Sequence, residues 1–290
     1  MTATFDVPSR PPFGAEQATH FVLANGIWQH VIEYGDGDAG IDVVLIPGMT
    51  AAAATWDFVG RALPDGVRAF VVDVRGRGLT DHPASGFSLD DYAADLVGVV
   101  ERLRLQAPIL VGHSMGARIA AAFDLAAPGA AGGLVLVDPP LSGPGRAPYP
   151  HPLGMYKGFF EIAQAPEPSI AEFRRLEPNL VSDDAVIDRI RWLRSCDLGA
   201  IEATHRGFHD EDFHEIYAQI TAPAVLVRGA ESAVVTEEDA RELGALRPDI
   251  PVVDVAGAGH LVPHANLEGF LDALRQFTSE RFASVDGAEG

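Results

Sequence analysis

The sequence has 290 residues, near the upper size for one undivided core, and its 47% hydrophobic and 21% charged residues exclude a mainly disordered chain. Aspartate and glutamate number 41 against 21 lysine and arginine, a formal net charge of −20. A chain this acidic, without a basic stripe, is a poor partner for nucleic acid or an anionic membrane surface. The single cysteine, Cys196, excludes an internal disulfide and suits a reducing compartment.

The start of the sequence carries no basic stretch followed by an apolar run, as a secretory signal would. Apolar runs such as residues 43–46 and 51–54 are far too short to cross a bilayer. We therefore expect a cytoplasmic protein with no membrane partner, built as one core or as a core with a lid.

Short apolar runs alternate with longer helical stretches along most of the chain, which indicates βαβ units and a mostly parallel sheet. Two runs near the start flank Asn25-Gly26, a dipeptide typical of a tight hairpin. A long helical stretch begins at Ser88, a residue type that caps helices. Strands are predicted at residues 21–23, 29–34, 42–46, 68–74, 108–111, 134–137, 224–227 and 252–255, and helices at 88–105, 115–127, 237–246 and 267–281.

The alternation of strands and helices stops after Asp138. Residues 140–218 begin rich in proline and continue with helical patterns and no strand, so we interpret them as a lid between two halves of an α/β core. The predicted division is a loose N-terminal arm (1–20), the first half of the core (21–139), the lid (140–218), the second half of the core (219–281) and a polar tail (282–290).

A G-x-S-x-G motif at residues 112–116 lies between a predicted strand and a predicted helix. This placement is typical of a nucleophile elbow, where a serine occupies a strained turn and glycines leave room for the neighbouring strand and helix. The helix N-terminus that follows favours negative charge on an oxyanion. Ser114 is the predicted nucleophile, although five-residue matches also arise by chance in a chain with 30 glycines.

A nucleophilic serine needs a base, which in this order of elements follows late in the chain. His260 ends a glycine-rich run directly after the predicted strand 252–255, so we expect it at the carboxyl edge of the sheet. His264 lies four residues later beside a proline, and its simpler interpretation is a surface histidine. His113, inside the motif, is expected to pack or to form a local hydrogen bond.

The acid that orients the base has two candidates. The loop after the predicted strand 224–227 has Ser232 where many such enzymes have an aspartate, and Glu231 precedes it. Asp138 follows the strand next to the elbow, from where a carboxylate can reach the far nitrogen of His260. We favour Asp138, whose simpler role is a turn before two prolines, and Glu231 is the alternative.

An oxyanion hole needs two backbone donors. One is the N–H of Met115, the residue after the nucleophile. The other is predicted in the loop at residues 46–50, at the N–H of Met49. The two methionine side chains themselves are as consistent with simple core packing.

Four segments resemble the α/β-hydrolase superfamily: LIPGMT (45–50), DVRGRGL (73–79), GHSMGAR (112–118) and AGH (258–260). The segment VDPPLSGPGR (137–146) is more specific. Together with FH (208–209), DFH (212–214) and RPDI (247–250), it resembles the N-formylmaleamate deformylase family over about residues 22–278. The resemblance implies an α/β-hydrolase fold with a mostly parallel central sheet, helices on both faces and an inserted helical lid.

This family and the related acetamidomethylene-succinate hydrolases place the triad acid after the same strand, so the resemblance implies Asp138. It also implies cleavage of an amide of a small dicarboxylate-derived acid, N-formylmaleamate to maleamate and formate, as in nicotinate degradation. No cofactor and no metal are expected, since the sequence has neither an H-E-x-x-H motif nor a cysteine cluster. The alanine run at 51–54 departs from the family's pattern and leaves the pocket's shape open.

A small anionic substrate must be bound by local cations, because a chain of net charge −20 does not attract it over long range. Arg146, just after the Asp138 loop, and His209 in the lid are the predicted substrate-binding residues. A solvated surface arginine is the simpler interpretation of Arg146. His205 and Arg206 in the lid are further candidates.

Two other functions fit the same motifs. A related ester, lactone or carbon–carbon bond hydrolase would use the same serine, whereas a dehalogenase or epoxide hydrolase has an aspartate in place of Ser114. A ligand-binding protein of this fold needs no working nucleophile. A fluorophosphonate probe, which labels active serines, separates such a protein from an enzyme.

Overall fold

The structure is a computed structural model that describes residues 17–286 except 36–39, 65, 179 and 181. Residues 1–16 of the predicted arm and 287–290 of the predicted tail lie outside the described residues. The strands are β1 Gln17–Ala24, β2 Ile27–Tyr34, β3 Ile41–Ile46, β4 Val67–Val72, β5 Ile109–His113, β6 Gly133–Val137, β7 Ala224–Gly229 and β8 Val252–Val255. The helices are α1 Asp57–Gly60, α2 Leu89–Leu103, α3 Met115–Ala126, α4 Leu153–Gln164, α5 Ile170–Leu176, α6 Asp183–Leu193, α7 Leu198–Asp210, α8 Phe213–Gln219, α9 Glu237–Leu246, α10 Val262–Ala265 and α11 Leu267–Asp286.

The strands form one sheet in the order β1-β2-β4-β3-β5-β6-β7-β8. The pairs β1–β2 and β2–β4 are antiparallel, and all the others are parallel. His113 at the end of β5 pairs with Val137 at the end of β6, and Val137 pairs with Val227 in β7. The predicted, mostly parallel sheet is confirmed, and its central strands end at one common edge.

The central strands are rich in aliphatic residues because both faces of the sheet are covered. Every residue of β5 and of β6 is buried. Leu110 and Leu134 enter an apolar core with residues of α2 and α3, whereas Val111 and Val135 enter a second core with residues of α11. Helices therefore cover both faces of the sheet, as the resemblance implied.

Both ends of the described chain are more regular than the sequence predicts. β1 begins at Gln17, inside the predicted loose arm, because Gln17 pairs with Tyr34 in a hairpin of eight residue pairs. The hairpin turns at the predicted Asn25-Gly26, with φ angles of 49° and 78°. α11 continues to Asp286, beyond the predicted helix end at residue 281.

Five helices, α4 to α8, follow one another between β6 and β7. They occupy the stretch predicted as a lid. Tyr156 of α4 and Arg189 of α6 line one cavity together with Ser114 and His260. The inserted helices thus cover the edge where the central strands end. Across the part of the chain that the structure describes, no helix is both long and apolar enough to span a membrane.

Candidate active site

Ser114 lies in a strained turn between β5 and α3. Its backbone has φ 56° and ψ −118°, a conformation that non-glycine residues rarely adopt. The motif's glycines permit the turn, because a Cβ on Gly112 would lie 2.1 Å from the carbonyl oxygen of Gly116. A Cβ on Gly116 would lie 2.0 Å from the carbonyl oxygen of Ile46 in the neighbouring strand. Both glycines are therefore required by space.

Three side chains from distant parts of the chain form a continuous row of hydrogen bonds. The Nε2 atom of His260 lies 3.0 Å from Ser114 Oγ, and its Nδ1 atom lies 2.7 Å from Asp138 Oδ2. These distances suit a nucleophile bound to a base and a base oriented by an acid. The structure brings together the residues predicted as nucleophile, base and acid.

Asp138 is fully buried and has a positive φ of 47°. Ser232 donates from its Oγ to Asp138 Oδ2 at 2.6 Å, and the same Oγ accepts from the backbone N–H of Val234 at 3.0 Å. Burial raises the pKa of the Asp138 carboxyl, and the bonds from Ser232 and the backbone N–H of Gly229 oppose that rise. Glu231, the alternative acid, is exposed. Ser232 therefore supports a carboxylate that comes from the neighbouring strand.

The imidazole of His260 is held in its neutral form. Burial, and to a smaller extent the charge of Arg189, lower the pKa of His260 to about 3. A neutral imidazole can accept a proton, as a general base must. The loop of His260 is fixed by His113, whose Nε2 atom lies 2.7 Å from the His260 carbonyl oxygen. His113 was expected to pack or to form a local hydrogen bond; its ring packs on Trp56, and its hydrogen bond joins it to a loop far away in the sequence.

His264 lies in the wall of the cavity, not on the open surface that its simpler interpretation supposes. Its ring packs edge-on against Phe58, with the ring centroids 4.8 Å apart. His260, not His264, lies between Ser114 and Asp138. Among the described residues, no group of three His, Cys, Asp or Glu side chains is arranged to hold a metal ion.

The segments predicted to form the oxyanion hole border Ser114. A Cβ on Gly48 would lie 3.4 Å from the Cβ of Ser114, so this loop closely approaches the nucleophile. Met49, the next residue, lines the cavity with Ser114. Met115 is the first residue of α3, where the helix dipole favours negative charge. The N–H groups of Met49 and Met115 therefore belong to two backbone segments that border Ser114.

The predicted substrate cations do not line this cavity. Arg146 donates from Nη1 to Glu242 at 2.9 Å, and the ring of His209 packs on His205 with centroids 5.3 Å apart. Neither Arg146 nor His209 is among the residues that line the cavity of Ser114. Arg206 lines a separate surface pocket. The structure therefore places all three away from the nucleophile's cavity.

Arg189 is the arginine that lines the cavity, and it is not among the residues predicted from the sequence. Its guanidinium donates to the backbone oxygen of Thr50 at 2.7 Å and to the Thr50 hydroxyl at 2.6 Å. Burial lowers the pKa of Arg189, and the charge of Glu177 in the same cavity opposes that shift. No motif marks Arg189, because α6 also carries the exposed Arg191 and only the packing of the helix distinguishes them.

Comparison with known proteins gives consistent matches. Residues 43–273 match the alpha/beta hydrolase family. The chain is 39% identical over 259 residues to N-formylmaleamate deformylase of Pseudomonas putida, which covers 88% of this chain and 94% of that protein. It is 30% identical over 258 residues to 2-(acetamidomethylene)succinate hydrolase of Mesorhizobium japonicum, which covers 86% of this chain and 90% of that one. The crystal structure of N-formylmaleamic acid deformylase from Pseudomonas putida S16 has a TM-score of 0.82 at 38% identity, covering 89% of this chain and all of that one.

Replacing the buried carboxylate tests which acid orients the base. Asp138→Asn should lower kcat by about 10⁴-fold while the fold remains, because an amide stabilises the wrong imidazole tautomer. The measurement is steady-state turnover, with circular dichroism to verify folding.

Glu231→Gln is the matched control, since it makes the same carboxylate-to-amide change at the exposed neighbour of Ser232. We expect this variant to keep nearly full kcat. Activity that survives in the Asp138 variant but is lost in the Glu231 variant would assign the acid to the later strand.

Proposed function

The chain belongs to the alpha/beta hydrolase family, and on that premise we propose that it is a serine hydrolase that cleaves N-formylmaleamate to maleamate and formate. The observation that carries the proposal is the hydrogen-bonded row from Ser114 through His260 to Asp138. This row lies in a chain that is similar to a named deformylase over most of its length. The second relative is named a hydrolase of 2-(acetamidomethylene)succinate.

In the proposed first half-reaction, the Oγ of Ser114 attacks the formyl carbon. Its proton passes to Nε2 of His260 across the 3.0 Å hydrogen bond, and Asp138 stabilises the imidazolium that forms. The carbonyl oxygen becomes an oxyanion, which accepts hydrogen bonds from the N–H groups of Met49 and Met115. His260 then protonates the amide nitrogen, the carbon–nitrogen bond breaks, and maleamate leaves.

The second half-reaction removes the formyl group from Ser114. His260, neutral again, takes a proton from a water molecule that attacks the formyl ester. A second oxyanion forms in the same hole and collapses, and the imidazolium returns its proton to Ser114 Oγ. Formate leaves, and the protein regains its starting state without an added cofactor.

Arg189 is the proposed partner of the substrate's carboxylate. It lines the cavity with Ser114 and belongs to the lid, and a guanidinium stays charged at neutral pH. A planar guanidinium can bind both oxygens of a carboxylate at once. Its present acceptors belong to Thr50 and are neutral, so a carboxylate would be the stronger acceptor.

Substrate entry requires the lid side chains to move. The cavity between the lid and Ser114 encloses about 50 Å³. Sites for small ligands usually enclose about 300 Å³ or more. Helices α4 and α6 contribute Tyr156 and Arg189 to the cavity wall, so their displacement would both open the site and carry Arg189 with them.

The proposed function predicts turnover of N-formylmaleamate with release of formate, and its loss in Ser114→Ala. Removing a triad serine costs about 10⁶-fold in kcat, and this hydroxyl can be removed without enlarging the core much. Formate and maleamate are measured directly, beside neutral esters and lactones.

Ser142→Ala is the control, because Ser142 is equally buried but donates to the carbonyl oxygen of Phe208. It should keep its turnover. If native protein cleaves esters or lactones and leaves N-formylmaleamate intact, the deformylase assignment is wrong. If Ser114→Ala stays within about a thousandfold of native activity, another group is the nucleophile.

Arg189→Met should raise KM for N-formylmaleamate by about ten- to a hundredfold and change KM for a neutral formyl ester far less, because a charge-assisted contact is lost. Arg146→Met tests the cation predicted from the sequence, and Arg191→Met tests an exposed arginine of the same helix. Both should leave KM near its native value. A larger rise in KM for the Arg146 variant than for the Arg189 variant would assign carboxylate binding to Arg146.

A further inference from the structure

Arg77 is a fully buried arginine in the loop after β4. Its Nε donates to the carbonyl oxygen of Met49 at 3.0 Å. Its Nη1 donates to the carbonyl oxygen of Arg75 and to the hydroxyl of Tyr92, each at 2.8 Å. Its Nη2 donates to the hydroxyl of Thr204 at 2.9 Å. One planar group therefore joins four segments: the loop at residues 46–50 that is predicted to supply an oxyanion donor (the oxyanion loop), its own loop, helix α2 and the lid helix α7.

The surroundings of Arg77 differ from those of the other arginine in the same loop. Arg75 is buried too, but it forms an ion pair with Asp95. Within the described residues, no carboxylate comes within ion-pair distance of the Arg77 guanidinium, and its hydrogen-bond acceptors are neutral. A buried charge without a counter-charge costs free energy. Such a charge suits a place where negative charge appears during a reaction.

Resting on the serine mechanism of the proposed function, we propose that Arg77 is a positioning residue of the oxyanion hole. Its bond to the Met49 carbonyl fixes the peptide group that follows Met49. This restricts the backbone of Met49, and thereby the direction in which the Met49 N–H points. Its Nη2 also lies 3.7 Å from the sulfur of Met115, the residue with the second donor. One guanidinium thus contacts both residues assigned to the hole.

The positioning depends on the planar geometry of the guanidinium. A lysine at this position keeps the charge but has a single ammonium, which cannot reach acceptors on four segments at once. Thr204 belongs to the lid, and its hydroxyl is also 2.6 Å from that of Tyr92. The oxyanion loop is therefore held in register with the closed lid through Arg77.

Arg77→Lys is the variant that tests the proposal. We expect kcat for N-formylmaleamate to fall about ten- to a hundredfold with KM within about threefold, because a displaced donor weakens binding of the transition state only. A boronic acid such as phenylboronic acid forms a tetrahedral anion on an active serine, whose oxygen occupies the oxyanion hole. Its affinity should fall by the same factor as kcat.

Arg75→Lys is the matched control, because it makes the same substitution two residues away at a guanidinium paired with Asp95. It should lower the melting temperature and leave kcat and boronic acid affinity near native values. The proposal is overturned if Arg77→Lys only lowers the melting temperature in the same way. A rise in KM with unchanged boronic acid affinity would overturn it too.

Thr204→Val provides a second variant in case Arg77→Lys does not fold. It removes one acceptor of Arg77 with little change in volume, so kcat and boronic acid affinity should fall in parallel, by about three- to tenfold. Unchanged values in this variant would overturn the proposal. If native protein binds no boronic acid at Ser114, the serine mechanism itself fails, and the role of Arg77 fails with it.

Discussion

The 2.7 Å hydrogen bond between His260 Nδ1 and Asp138 Oδ2 joins two halves of the core that the lid separates along the chain. A parallel sheet makes this contact possible, because the loops after β6 and β8 lie at the same edge. The bond places the proton on Nδ1 and leaves Nε2 free to accept one from Ser114. Burial keeps the imidazole neutral. The proposed chemistry therefore depends on this bond, which the sheet makes possible and the lid shields from water.

The site concentrates backbone strain at the ends of two adjacent strands. Ser114 and Asp138 both have positive φ angles, at 56° and 47°, and neither is a glycine. The sheet holds them there, since Ser114 N–H donates to Val137 and Asp138 N–H donates to Val227, each at 2.8 Å. Ser232, in the loop after β7, then binds the Asp138 carboxylate. Hydrogen bonds to the central strands thus hold both strained residues in place.

The parallel sheet, the lid and the three residues of the row were predictable because each has a local pattern: alternating runs, a gap in that alternation, and glycine-rich turns after strands. Arg189 was not predictable, since which arginine of an amphipathic helix faces a cavity depends on how that helix packs. Arg146 follows the Asp138 segment closely in sequence, but Glu242 binds it outside the cavity. Ser232 illustrates an intermediate case. Its position is the usual place of the acid, but its bond to Asp138 depends on how the loops after β6 and β7 meet, which no local pattern shows.

The most direct measurement is the pH dependence of the rate at which a fluorophosphonate labels the native protein, with the labelled residue identified by mass spectrometry. The account predicts one adduct, on Ser114. It also predicts a rate that holds from about pH 8 to well below pH 6.5, the ordinary pKa of histidine, because burial lowers the pKa of His260 to about 3. An adduct on another residue, or a rate that halves near pH 6.5, would contradict it.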